Sequence, residues 1–195
     1  MRIAIDFDGT IANTNVLHPA FCKAQFGIDL PIEATVSPLR EQFLTREQIA
    51  LIRQHVYEET LRAPLVQGVR EALQQLVAEG HRIVILTART EKGVQPAKDY
   101  LRMQRIPYHH FLYVSESEKR TLVDGRVLSK KIVLEELKFD VMIEDQVKGL
   151  KGLPDQILAI LLTRPWNRNE QVPDGIVRMN GWGAIVKFLL APVAV

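Results

Sequence analysis

Asp6 and Asp8 stand one residue apart at the end of a short apolar run, Arg2-Ile3-Ala4-Ile5, and Gly9-Thr10 come directly after. Strand side chains alternate faces, so two carboxylates at this spacing leave a strand pointing the same way. Gly9 permits a sharp turn, and Thr10 is suited to cap the next element. In an open α/β sheet the carboxyl ends of the strands are where ligands are held. A carboxylate pair there suits two chemistries: binding a hard divalent cation, and acid/base work beside a carboxylate nucleophile.

Three other segments carry matching residue types. Thr87 ends the apolar run 82–86, and Glu144-Asp145 end the run 141–143. Ser129-Lys130-Lys131 precede a helical pattern. Singly, each has an ordinary structural reading: a helix cap, a turn, a solvated pair of lysines. In a parallel sheet all the strands end on one side, so these groups share one crevice. Three or more carboxylates there repel one another without a cation. Mg²⁺ suits them, because it takes a few oxygen ligands, keeps several waters and leaves a place for a phosphate oxygen. Lysine and threonine supply the charge and hydrogen bond that steady a phosphoryl group.

The rest of the chain supplies the elements that position these groups. Helices are predicted over 69–78, closed by Gly80, and over 92–104, 131–137 and 182–190. Apolar runs at 82–86, 110–114, 141–143 and 157–162 read as strands, with a short edge strand at 175–179. This alternation implies a three-layer α/β fold with a parallel, Rossmann-like sheet. Residues 14–64 break the pattern, as a small helical unit with Pro31 and Pro38 in a loop. Within it Thr45-Arg46-Glu47-Gln48 reads as a capping box, followed by an apolar stripe of Ile49, Ile52, Val56 and Leu61. Asp124-Gly125 is read as a hairpin turn or a plain loop.

Composition narrows the class. The 195 residues suit one domain with a small insertion, and 47% hydrophobic residues allow a sizeable core. A net charge of +2 with dispersed Lys and Arg argues against a nucleic-acid polymer or a membrane surface as partner. The apolar runs are too short to span a bilayer, and no signal peptide is evident. Cys22 is the single cysteine, so no intramolecular disulfide forms and a cytoplasmic location is expected.

Asp6-Phe7-Asp8-Gly9-Thr10, Thr87, Lys130 and Glu144-Asp145 together resemble, in order and over nearly the whole chain, the four motifs of the haloacid dehalogenase-like (HAD) phosphohydrolases. The helical unit resembles a cap domain at that superfamily's first insertion point, which implies a core of 1–13 and 65–195 with a cap of 14–64. Phe139 to Asp145, with Arg164-Pro165-Trp166-Asn167 beyond, is similar to the 5′(3′)-deoxyribonucleotidase-like branch. The resemblance implies that Asp6 is the nucleophile, forming an aspartyl-phosphate, and also a metal ligand. It implies that Asp8 is the acid/base and ligates metal through its backbone carbonyl. Thr87 and Lys130 would hold the phosphoryl oxygens, and Asp145 would complete the Mg²⁺ ligands. Glu144 departs from the usual second aspartate and is expected to ligate through water or to orient the shell. Aspartate at position 8 separates this reading from a dehalogenase, and from a P-type ATPase with threonine there. A phosphonatase would need a Schiff-base lysine from the cap, for which only Lys23 is placed.

The expected activity is a Mg²⁺-dependent phosphomonoesterase acting on a nucleoside monophosphate. The alternatives are a phosphatase of a sugar phosphate or other small phosphorylated metabolite, and a catalytically silent phosphate-binding module. Phe43 and Arg46 are the expected selecting surface of the cap. Phe21, Phe26, Phe43 and Tyr57 are either base-stacking groups or cap core, the second reading being preferred, and Arg40 and Arg46 are either surface charges or substrate contacts. His109-His110 are expected to be structural, and Trp166 to pack against the end of the sheet.

Overall fold

The computed structural model describes residues 1–114 and 128–191. Six strands form one sheet in which every pair is parallel: β1 (Arg2–Ile5), β2 (Arg82–Thr87), β3 (His110–Tyr113), β4 (Val141–Glu144), β5 (Leu158–Leu162) and β6 (Ile176–Met179). Their order is β3-β2-β1-β4-β5-β6. The order reverses between β1 and β4, which places a topological switch point beside Asp6.

Alternation along the strands divides the core into two layers. Ile3, Ile5, Ile83, Ile85 and Ile143 face one side, where they join helices α3 (Val69–Ala78), α4 (Glu91–Met103) and α7 (Trp182–Leu189). Ala4, Val84, Leu86 and Met142 face the other side, with α5 (Lys130–Glu136) and α6 (Val147–Leu150). Strands covered on both faces need no polar face, which is why they read as continuous apolar runs. The Asp124-Gly125 turn lies outside the described residues.

Residues 14–64 contain no strand. They hold α1 (Leu17–Phe26), α2 (Arg46–Glu58) and four 3₁₀ turns around a separate apolar cluster of Cys22, Leu30, Ala34, Leu44, Ile52 and Val56. Thr45 caps α2 as its spacing predicts: its hydroxyl accepts from Gln48 N–H at 3.3 Å, and the Gln48 side chain accepts from Thr45 N–H at 2.9 Å. Phe21 and Phe26 pack edge to face beside this cluster, and Phe21 stacks on His55. These aromatics therefore build the helical unit. Among the described residues, no helix is long and apolar enough to cross a membrane.

Candidate active site

The sheet delivers all of the sequence-marked site residues of the core except Asp145, which is fully buried, to the lining of one cleft of about 640 Å³. Asp6, Asp8, Thr87, Lys130 and Glu144 line it. Asp6 comes directly after β1, and its backbone N–H donates to Ile143 O on β4 at 2.9 Å. Phe7 turns the opposite way into the core and meets Tyr100 edge to face. This alternation leaves Asp6 and Asp8 on the cleft side.

Two charge networks hold the two aspartates. Lys130 Nζ lies 2.6 Å from Asp6 Oδ1 and 2.8 Å from Glu144 Oε2. Burial alone would lower the lysine's pKa, but the Asp6 and Glu144 carboxylates outweigh it and hold the amine above its ordinary value. Lys131 instead reaches toward Glu135 from the first turn of α5 and is half exposed. Asp8 belongs to the second network. Arg89 Nε donates to Asp8 Oδ2 at 2.8 Å, Arg89 Nη2 to Oδ1 at 2.7 Å, and Thr14 Oγ1 to Oδ1 at 2.8 Å. Burial pushes Asp8 up, yet the guanidinium and these hydrogen bonds win and hold it below the usual carboxylate range.

Asp6, Glu144 and Asp145 present carboxylate oxygens within 4.8 Å of one another, and all three are buried. Burial, then the neighbouring Glu144, pushes Asp6 up to about 7, and the same two causes raise Asp145 well above its ordinary value. Trp166 Nε1 donates to Asp145 Oδ2 at 2.8 Å, whereas Asp145 Oδ1 is buried without a partner. Glu144 differs, because both its oxygens have protein donors: Lys130 on Oε2 and the Asp145 backbone N–H on Oε1 at 3.0 Å. A divalent cation fits this donor set. It would use the orphaned oxygen and offset the repulsion that burial intensifies.

Glycines make the close packing possible. Gly9 has φ +78°, and a Cβ there would collide with the Asp145 carboxylate and lie 2.9 Å from the Trp166 ring. A Cβ on Gly149 would lie 2.6 Å from Glu144 Oε2.

Several expectations are corrected. Thr10 does not cap: its hydroxyl is buried without a partner, and the next element is a 3₁₀ turn, Thr14–Val16, led in by Asn13. Phe43 and Arg46 are exposed and do not line the cleft. Of the two arginines weighed as substrate contacts, Arg40 lines the cleft and Arg46 does not, and the helical unit adds Arg53, His18, Ile49, Ile52 and Val56. Trp166 is buried as expected, but its indole is an Asp145 donor rather than mere packing. Lys23 pairs with Asp29 away from the cleft, and His109 Nδ1 accepts the Ile83 backbone N–H. The sequence reading missed Arg89, which lies in Thr-Ala-Arg-Thr just past the marked Thr87. It also missed Asn167, whose amide donates to Asp145 O at 2.7 Å and Leu162 O at 2.8 Å. The signal for Asn167 was Arg-Pro-Trp-Asn itself, a motif whose polar and aromatic residues both turn out to hold Asp145.

The parallel sheet, with an acidic cluster at its switch point and a helical insertion after β1, is a HAD-like fold. Two solved structures share the fold. A haloacid dehalogenase-like hydrolase from Streptococcus pneumoniae superposes with TM-score 0.62 at 15% identity, covering 96% of this chain and 97% of that one. A HAD family hydrolase from Deinococcus radiodurans, with bound phosphate and sodium, does so with TM-score 0.62 at 16% identity over 96% and 94% of the chains. The family model "5′ nucleotidase, deoxy (Pyrimidine), cytosolic type C protein" matches residues 1–193, and the chain belongs to that family. A relative from Halalkalibacterium halodurans, named "Putative nucleotidase BH1399", is 25% identical over 186 residues, 93% of this chain and 88% of that protein. The protein is a HAD-type phosphatase of the nucleotidase kind.

Proposed function

We propose that the protein is a Mg²⁺-dependent phosphomonoesterase that hydrolyses a nucleoside monophosphate through an aspartyl-phosphate on Asp6. One observation carries the reading. Asp6, buried at the switch point, has Lys130 at 2.6 Å on one oxygen and belongs to a carboxylate cluster with an unpartnered oxygen on Asp145. A nucleophile set beside a fixed cation and a cation site suits transfer of a charged phosphoryl group.

The residues divide the work. Asp6 attacks phosphorus, the ester oxygen leaves, and Asp8 gives that oxygen a proton. Asp8 then takes a proton from the water that clears the intermediate. The Arg89 pair has to loosen for Asp8 to carry that proton, because a bidentate guanidinium favours the ionised form. Lys130 meets the phosphoryl oxygens with its charge. Thr87 Oγ1 accepts Arg89 N–H at 3.3 Å, which leaves its own proton for a phosphoryl oxygen. Asp6, Asp145 and the Asp8 backbone carbonyl would hold Mg²⁺, which neutralises charge on the transferred group when bound. Glu144 holds Lys130 and the Asp145 backbone in place.

We read residues 14–64 as a cap over a core of 1–13 and 65–195, closing the cleft from one side and excluding water. The cleft is large enough for a nucleotide, and Ile49, Ile52 and Val56 of α2 line part of its wall. The test is turnover of p-nitrophenyl phosphate and of several nucleoside monophosphates with Mg²⁺, in wild type and Asp6→Asn. Activity in the wild type alone supports the reading. No turnover of any ester by the wild type contradicts it.

A further inference from the structure

Two buried polar atoms on the helical wall of the cleft have no partner: His18 Nδ1 and Arg40 Nε. His18 is 8% exposed, on α1. Asn15 and Thr35 line the same wall and have partners of their own: Asn15 Nδ2 donates to Thr35 Oγ1 at 3.0 Å, and Thr35 Oγ1 donates to Ile32 O at 2.8 Å. Arg40 Nη2 donates to Ser37 Oγ at 3.2 Å and Glu41 Oε1 at 3.3 Å, while its Nε is buried without a partner. Burying two polar atoms unpaired is costly unless a ligand pairs them.

The chemistry of the pair is specific. Burial, then the Arg40 charge, lowers the His18 pKa to about 4, so the ring is neutral at physiological pH. A neutral imidazole carries one N–H and one lone pair, and with its proton on Nε2 it presents the lone pair at Nδ1. The wall therefore shows one acceptor and one donor beside the apolar α2 face of Ile49, Ile52 and Val56.

We infer that His18 and Arg40 determine specificity by reading the polar edge of an uncharged, flat leaving group, with His18 Nδ1 accepting and Arg40 Nε donating. A nucleobase with a ring N–H beside a carbonyl offers this edge and an apolar face. A second phosphate in that place would be drawn by the Arg40 and Arg53 charges but would meet the His18 lone pair with its own oxygens, so the bisphosphate is the competing ligand to test. The inference rests on the phosphomonoesterase reading for its kinetic test.

The experiment compares kcat/KM for thymidine 5′-monophosphate, ribose 5-phosphate and thymidine 3′,5′-bisphosphate. The variants are His18→Gln, His18→Asn and Arg40→Met. Asn places an amide oxygen near the Nδ1 position, and Gln places its amide nearer Nε2. His18→Gln and Arg40→Met should each lose about tenfold on the nucleotide, mostly in KM, and little on ribose 5-phosphate. His18→Asn should recover most of the loss. Equal losses on all substrates, no loss on any, or wild-type preference for the bisphosphate would overturn the inference. Calorimetric binding of thymidine itself reads the same wall without turnover. If the wild type hydrolyses no ester, weaker thymidine binding in His18→Gln but not His18→Asn still supports the pair, and equal binding rejects it.

Discussion

Arg89 grips Asp8 with two parallel hydrogen bonds while its own head is held by the helical unit. The guanidinium lies between the Phe7 and Tyr57 rings, 4.7 and 5.0 Å from their centroids. Its Nη1 donates to Thr60 Oγ1 at 2.9 Å and Gly93 O at 3.3 Å. Tyr57 OH in turn accepts the Thr90 N–H at 3.1 Å. Residues 14–64 are thus wired to the aspartate beside the nucleophile.

Arg89→Met should break this pair and leave Asp8 with only the Thr14 hydrogen bond. Arg89 is 2% exposed and Asp8 32%, so we expect a loss of roughly 2–3 kcal/mol at pH 7, below that of a fully buried pair. The sign with pH is set by Asp8 being held below its ordinary 3.8. A depressed carboxylate stabilises the fold above its unfolded pKa, and this is lost as pH falls through the folded value. Denaturant midpoints of variant and wild type should therefore converge as pH drops below about 4. A gap that stays constant from pH 7 to pH 3 would remove the pair from the account.

Lys130 and Lys131 are neighbours with opposite predicted fates. Lys130→Ala strips the charge that faces Asp6 and Glu144, and turnover should fall by about two orders of magnitude or more. Lys131→Ala should stay within a few fold, since its side chain is 53% exposed. Steady-state kinetics on one nucleotide distinguishes them, and the reverse ranking would show that the wrong lysine has been chosen.

Trp166→Phe keeps an aromatic ring but deletes the donor to Asp145 Oδ2. Asp145 is a metal ligand in the proposed function, and loss of the hydrogen bond that orients a ligand carboxylate typically costs 10–100-fold in metal affinity. The Mg²⁺ concentration for half-maximal activity should rise accordingly, with kcat at saturating Mg²⁺ nearly retained. An unchanged Mg²⁺ titration would mean the indole only fills space.

Gly9→Ala places a methyl group against the Asp145 carboxylate at a φ of +78°. Both the collision and the left-handed backbone oppose it. Turnover should drop by at least about a hundredfold at any Mg²⁺ concentration, unlike Trp166→Phe, because the carboxylate itself is displaced. Near-normal kinetics would show that the turn has room to spare.

The sequence was most legible where one physical rule governs many residues. Buried parallel strands need apolar runs, so β2, β4 and β5 stood out and ended within a residue or two of the predicted limits. Asp6, Thr87, Lys130 and Glu144 met because parallel strands end on one side. Side-chain direction was less legible. Phe43 and Arg46 flank the start of α2, and only the packed orientation of that helix shows that Ile49, Ile52, Arg53 and Val56 face the cleft instead. Arg89 lies 81 residues from Asp8 in sequence, and an arginine after a threonine carries no local sign of its partner. Thr10 looked like a cap because its type favours caps, but Trp182 Nε1 donates to its carbonyl at 3.1 Å and the segment is drawn into the core.

The central claim is that Asp6 carries the phosphoryl group. Its most direct measurement is rapid acid quench of enzyme mixed with radiolabelled thymidine 5′-monophosphate and Mg²⁺, with peptide mapping of the quenched protein. Label is expected on the peptide containing Asp6, stable to acid, released by hydroxylamine, and absent in Asp6→Asn. Full turnover with no labelled peptide, or near-normal activity in Asp6→Asn, would contradict it.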